Sequence, residues 1–327
     1  MRRTIGIDVS QDFLDVAVFD GMKTHTRHYD THDSKAFQQI MKDYRITSNT
    51  LVVMEATGVY HLKLANFFLQ KGCKVSVVNP LKVKRYGQMK FRRAKTDKAD
   101  AQLIAHYGYE QQPALYQPIP KEREELMLLL KGIADLNEMK TQMLNRLHSL
   151  KKRVIAPQIL IDSLQNQVQL ISQDIKALKN ECQRLAQTFA EKDYQRLQEI
   201  PGIGPNAALA ILGYFGQFET FESANQVIAY AGLNPHPRVS GSSVRGSGSI
   251  SKKGHAYLRK IFYMAALSAA RCNPKCQELY ERLIVKGKAK NVALIAVANK
   301  LLRQCFAIMK HQRQFDPNFS EKRYEAT

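Results

Sequence analysis

Two heptad runs separated by a proline constrain this chain more than any other feature. Leu126, Leu129, Ile133, Leu136, Lys140, Met143, Leu147, Leu150 and Val154 alternate in spacings of three and four, with one polar member. After Pro157 the pattern restarts at Leu164 and runs through Val168, Ile171, Ile175, Leu178, Cys182 and Leu185 to Phe189. Stripes sustained over about four heptads predict two long helices, and the proline separates them. The two either form an antiparallel pair or join helices of another subunit, although a plain bundle core fits each stripe alone. In every case the segment reads as a spacer or oligomerisation arm. It divides the chain into three expected parts, 1–115, 116–192 and 193–327.

The first part alternates strand and helix signals. "TIGIDV" and "FLDVAVFD" flank a short polar "SQD" and are followed by "HTRHYD", a helix-like "SKAFQQIMKDYR", the strand "TLVVMEA", an amphipathic "HLKLANFFLQKG" and the strand "KVSVVN". A meander of strands followed by alternating helices and strands predicts a mixed α/β sheet with helices packed on it. That order resembles the ribonuclease H or RuvC-like fold.

Four carboxylates stand at telling places in that order. Asp8 lies in the first strand, Glu55 ends another, and Asp97 and Asp100 sit three residues apart at the start of a helix, hence on one helical face. In a ribonuclease H-like sheet the first and fourth strands are neighbours, which would bring Asp8 and Glu55 together with the helix carrying Asp97 and Asp100. Clustered carboxylates repel one another unless cations neutralise them, and two Mg²⁺ ions would do so while clamping the oxygens of a transferring phosphoryl group. Asp97 as a helix cap and Asp8 as a turn residue are the plainer readings, and Asp12 and Asp15 compete in the same region. Just before Asp97 runs "KVKRYGQMKFRRAKTDK". Its Lys82, Lys84, Arg85, Lys90, Arg92, Arg93 and Lys95 suit a phosphate track leading to a metal site, though a solvated helix face explains part of the charge.

The third part carries two glycine signals. In "LQEIPGIGPNAALAILGYFG", Gly202 and Gly204 form a turn between apolar helical segments, the pattern of a helix-hairpin-helix, whose backbone amides can meet a phosphate at a helix N-terminus. Further on, "SGSSVRGSGSISKKGH" has the composition of a flexible linker. It lies, however, within residues 223–277, which contain no Asp or Glu and eight Lys or Arg. Its serines are candidates for a nucleophile that holds a broken strand as a covalent ester, with Arg245, Lys252 and Lys253 beside them to stabilise phosphate charge.

Over the whole chain, 49 Lys and Arg face 29 Asp and Glu, a balance of +20 in 327 residues. Such a surplus argues for a polyanionic partner, because neutralised phosphates release counterions. No signal-peptide pattern opens the chain. The apolar run "IFYMAALSAA" falls short of the roughly 20 residues of a membrane span, so a cytoplasmic protein without a membrane partner is expected. Five scattered cysteines read as reduced thiols; Cys272, Cys276 and His255 make only a weak zinc pattern.

Taken together, "GIDVS", "EATGVY", "VNP", "KTDKADA", "IPGIG", "YAGLNP" and "SGSSVRGSGSISKKGH", in this order and spacing, resemble the DEDD recombinases of the insertion sequence 110 class, relatives of the Piv DNA invertases. The resemblance spans nearly the whole chain. It implies a RuvC-like N-terminal domain, a coiled-coil connector and a mainly helical C-terminal transposase domain. It further implies Asp8, Glu55, Asp97 and Asp100 as the metal-binding set and Ser240 as the nucleophile forming a phosphoserine bond to DNA. A structured guide RNA, and a dimer or tetramer in which Ser240 of one subunit works against the carboxylates of another, are also implied. Gln11 departs from the lysine expected there. Two other readings stay open at this point: a RuvC-like structure-specific nuclease whose serine loop only grips DNA, and a non-catalytic nucleic-acid-binding protein. Arg245 is expected to neutralise phosphate charge.

Overall fold

The protein is described from a computed structural model covering residues 3–31, 33–56, 58–90, 97–236, 239–240, 244–245, 249–250 and 254–317, with backbone alone at 97–98 and at the described positions from 235 to 249. Arg92, Arg93, Lys95, Lys252 and Lys253 lie outside the described residues, and the side chains of Asp97, Ser240 and Arg245 are likewise outside the description. The chain folds into two compact units, Met1–Pro118 and Ile119–Thr327.

In the first unit, strands β1 (Thr4–Val9), β2 (Leu14–Phe19) and β3 (Thr24–Tyr29) form an antiparallel meander. Helix α1 (Ser34–Asp43) leads to β4 (Leu51–Glu55), α2 (Tyr60–Gln70) to β5 (Lys74–Val78), and α3 (Pro80–Met89) and α4 (Asp97–Gln111) follow. The sheet order is β3-β2-β1-β4-β5, with β4 parallel to both β1 and β5. The meander with the first and fourth strands adjacent is the expected ribonuclease H-like arrangement.

Strand alternation gives each face its cover. Ile5, Ile7 and Val9 point into a core with Phe37 and Ile40 of α1 and Leu64 and Phe68 of α2. Gly6 and Asp8 therefore face the opposite side, where α4 lies. A Cβ at Gly6 would stand 2.2 Å from the Ala105 nitrogen and 2.4 Å from the Ala101 carbonyl oxygen. Only glycine lets α4 come so close to β1, and Gly108 on α4 meets Val53 and Thr4 in the same tight manner.

The second unit opens with α5 (Lys121–Lys151) and α6 (Gln158–Gln198), which fold back on one another around the turn at Pro157. The heptad positions mark the seam in part: Leu126, Ile133, Leu147, Leu164, Ile175, Cys182 and Leu185 are buried, while Leu129, Leu136, Ile171 and Leu178 are partly so. Val154, read as the end of the first stripe, lies in the turn beyond α5 and is fully exposed. Ala190 has non-helical backbone angles and kinks α6.

Helices α7 (Pro205–Phe215) and α8 (Ala224–Ala231) precede four two-residue strands, with β6 (Pro235–His236) paired to β9 (Ser249–Ile250) and β7 (Val239–Ser240) to β8 (Val244–Arg245). Helices α9 (Ala256–Cys272), α10 (Pro274–Val285) and α11 (Lys290–Lys310) complete the unit. Every residue from Ala207 to Phe215 is buried, as an all-apolar helix requires. The core also takes Leu126, Leu130 and Ile133 of α5, so the expected connector and C-terminal part share one core. Arg123 ties α5 to the end of α7: its Nε donates to the Gly213 carbonyl at 2.8 Å and its Nη2 to that of Tyr214 at 3.0 Å.

Helix α11 is the one described helix long and apolar enough to cross a membrane, a stretch that the sequence reading passed over for "IFYMAALSAA". Its apolar stripe, Ala293, Leu294, Val297, Ala298, Leu301, Leu302 and Cys305, is buried against neighbouring helices. The five cysteines are free thiols, four of them buried.

Candidate active site

The parallel register of β1 and β4 builds the site. Ile7 pairs with Met54, so the next residue on each strand places Asp8 and Glu55 side by side at the strand ends. Both belong to the face covered by α4. That helix begins at Asp97, and Asp100 follows one turn later. Burial pushes the Glu55 carboxyl up to about 7, and the negative charges of Asp8 and then Asp100 add to the shift. Asp8, Glu55 and Asp100 thus share one electrostatic environment, as the strand order implied. Asp97 begins the same helix, with its side chain outside the description.

This face fits a hard divalent cation. Its donors are carboxylate oxygens, which suit Mg²⁺, and the negative charge that raises Glu55 is the charge a cation would relieve. Among the described residues, no three His, Cys, Asp or Glu side chains already stand together at metal-binding positions.

Asp15 pairs directly with Asp8 across β1 and β2, and His28 pairs with Asp15 across β2 and β3. The Asp15 carboxylate is buried and lies 3.0 Å from His28 Nδ1, while His28 Nε2 is 3.3 Å from Asp30. A polar row therefore runs His28, Asp15, Asp8, Glu55 across four strands. Asp15, read in the sequence only as a competing acid, lies in this row, and His28 was not singled out. The loop residue Gln11 accepts a hydrogen bond from Tyr60 of α2 at 3.0 Å.

The basic residues before Asp97 divide. Lys82, Lys84 and Arg85 are exposed on α3, whose Val83, Tyr86 and Gly87 turn inward. Lys90 is paired with Glu110 at 2.9 Å and sits over the Tyr86 ring.

In the second unit the two turn glycines have different surroundings. Gly202 has φ +101° and packs against Ala269 of α9, where a Cβ would come within 2.5 Å of the alanine methyl. Gly204 is exposed, caps α7 without a side-chain hydrogen bond and has open space around it. Ser240 lies in β7, its backbone paired with Val244. His255 packs against the Tyr214 and Tyr230 rings, and Cys276 is buried while Cys272 is exposed.

A sheet ordered β3-β2-β1-β4-β5, with acids at the ends of its first and fourth strands, defines an α/β domain of ribonuclease H-like topology. Residues 5–155 match a family described as DEDD transposase of insertion sequence 110, and residues 194–281 match the transposase family IS116/IS110/IS902. The pilin gene-inverting protein of Moraxella lacunata is 32% identical over 325 residues, covering 97% of this chain and 98% of its own. The transposase for insertion sequence element IS1111A of Coxiella burnetii is 24% identical, covering 96% and 91%. RuvC of T. thermophilus in complex with a Holliday junction substrate matches 35% of this chain and 98% of its own, at 16% identity and a TM-score of 0.27. The chain belongs to the insertion sequence 110 family of transposases and site-specific recombinases.

Proposed function

We propose that this recombinase breaks and rejoins DNA by transesterification through Ser240. The observation that carries the reading is the parallel pairing of β1 and β4, which sets Asp8 beside Glu55 under the helix bearing Asp97 and Asp100. Two Mg²⁺ ions held by these four residues would supply Lewis acidity and neutralise charge at the scissile phosphate. The Ser240 hydroxyl loses its proton and attacks phosphorus in line. The bond to the 3′ oxygen breaks, that oxygen leaves as a 3′ hydroxyl, and the 5′ phosphoryl remains on Ser240. A 3′ hydroxyl from another strand then displaces the serine, so each broken phosphodiester is replaced by a new one. Arg245 neutralises phosphate charge during both exchanges.

The surrounding parts serve nucleic acid and assembly. Lys82, Lys84, Arg85, Lys90, Arg92, Arg93, Lys95, Lys252 and Lys253 track phosphates. Gly202 and Gly204 belong to a helix-hairpin-helix in which exposed Gly204 offers the amide approach and Gly202 holds the turn on α9. The α5–α6 hairpin is a coiled-coil connector between a RuvC-like domain and a transposase domain, and it joins subunits into a dimer or tetramer. A structured guide RNA directs the choice of DNA. The family relation supports these readings together with the +20 balance.

The test is strand cleavage of DNA carrying the element's ends and the RNA transcribed beside its gene. Asp8→Asn is expected to lower cleavage by at least about 10³-fold while leaving DNA binding intact. Cleavage at the wild-type rate in that variant would overturn the carboxylate site.

A further inference from the structure

A groove lies between α10, α11 and the segment 311–316 that follows it. Its volume is about 690 Å³, inside the roughly 300–1,000 Å³ of sites that hold small organic ligands. The floor is apolar, with Leu279 and Ile308, and Phe315, half-buried and packed in part against the core of the unit, supplies an aromatic ring. Lys275, Lys300, Arg303 and Arg313 line the same groove against Glu278 and Asp316.

The charge here is not compensated in the usual way. None of Lys275, Lys300 and Arg303 forms an ion pair among the described residues. Arg303 is held instead by two neutral amides, its Nε donating to Asn299 Oδ1 at 3.0 Å and its Nη2 to Asn225 Oδ1 at 2.7 Å. A guanidinium fixed by amide oxygens keeps its full positive charge and a set direction. Gln304 is oriented too: its Oε1 accepts from Asn273 Nδ2 at 2.9 Å, which leaves its Nε2 without a protein acceptor among the described residues. An aromatic ring, an apolar floor, a fixed amide donor and surplus cations are what an unstacked nucleotide requires.

We infer that this groove seats one splayed nucleotide of a single-stranded nucleic acid. The base stacks on Phe315, a base carbonyl accepts from Gln304 Nε2, and the flanking phosphates meet Lys275, Lys300 and Arg303. Duplex cannot enter, because its bases are stacked and paired. The inference extends the proposed function but does not depend on Ser240 or the carboxylates.

Fluorescence anisotropy on the full chain in EDTA separates the two, because no strand exchange is needed. The probes are labelled single-stranded DNA and RNA of about 12 nucleotides and duplex DNA of the same sequence. Phe315→Leu is expected to weaken single-strand binding about 5- to 100-fold and to leave duplex binding unchanged. Lys275→Gln with Lys300→Gln, both half-buried, is expected to lower the salt dependence of single-strand binding by about two phosphates. It serves as the second variant should Phe315→Leu lower the melting temperature. A stronger effect on the DNA strand identifies displaced DNA as the occupant, and a stronger effect on RNA identifies a guide. Equal losses on strand and duplex, or none on either, would overturn the inference.

Discussion

Glu55 is the residue on which the electrostatics of the first unit turn. Its carboxyl titrates near 7 rather than in the ordinary range because it is buried beside Asp8 and Asp100. Without metal, the folded state therefore holds a proton that the unfolded chain has released. The stabilising contribution is fully present below about 4.5 and is lost as pH rises through 7. In EDTA, Glu55→Gln is expected to raise the melting temperature by a few degrees at pH 8 and to change it little at pH 4.5, read by calorimetry. Mg²⁺ should raise the wild-type value at pH 8 and leave the variant's nearly unmoved; a variant that responds to Mg²⁺ like the wild type would contradict the assignment. Asp8, Glu55 and Asp100 were legible in the sequence because strand order fixes their neighbours. His28 was not, because its link to Asp15, 13 residues away in sequence, depends on the register of β2 against β3.

At the scale of elements, the contact between α4 and β1 aims the carboxylates. Gly6 makes it possible, since any Cβ there would collide with backbone at Ala101 and Ala105. Gly6→Ala is expected to destabilise the first unit by about 1–3 kcal/mol and to lower strand cleavage further than the loss of folded protein explains. Denaturant melts and cleavage on the same preparation measure both. The five strands of the first unit and helices α1, α2 and α4 could be read from period and punctuation, whereas the two-residue strands β6–β9 and helices α10 and α11 were not. Helix α3 was less legible: between Pro80 and Met89 only Val83, Tyr86 and Gly87 turn inward, so its charges hide its period. The heptads announced α5 and α6, but Val154 continued the pattern past the helix end because spacing alone does not register where a turn begins.

For the whole molecule, the division into two compact units has a thermodynamic consequence. The chain is expected to unfold in two transitions, one for each compact unit. Leu130→Ala, in the core shared by α5 and α7, should lower one of them by about 2–5 kcal/mol and leave the other in place, as scanning calorimetry would show. Movement of both by the same amount would mean one cooperative block. The sequence showed three stretches of different character but not that the second and third share a core. That union depends on α5 side chains meeting α7, as Arg123 meets Gly213 90 residues away in the chain.

The division of labour between carboxylates and serine is the central claim, and the covalent intermediate reports on it directly. The measurement is mass spectrometry of protein digested after incubation with end-bearing DNA, guide RNA and Mg²⁺. A nucleotide attached to the peptide containing Ser240 is expected in the wild type, and none in Ser240→Ala or Asp8→Asn. Strand cleavage by Ser240→Ala at the wild-type rate, with no protein-linked nucleotide in any sample, would contradict it.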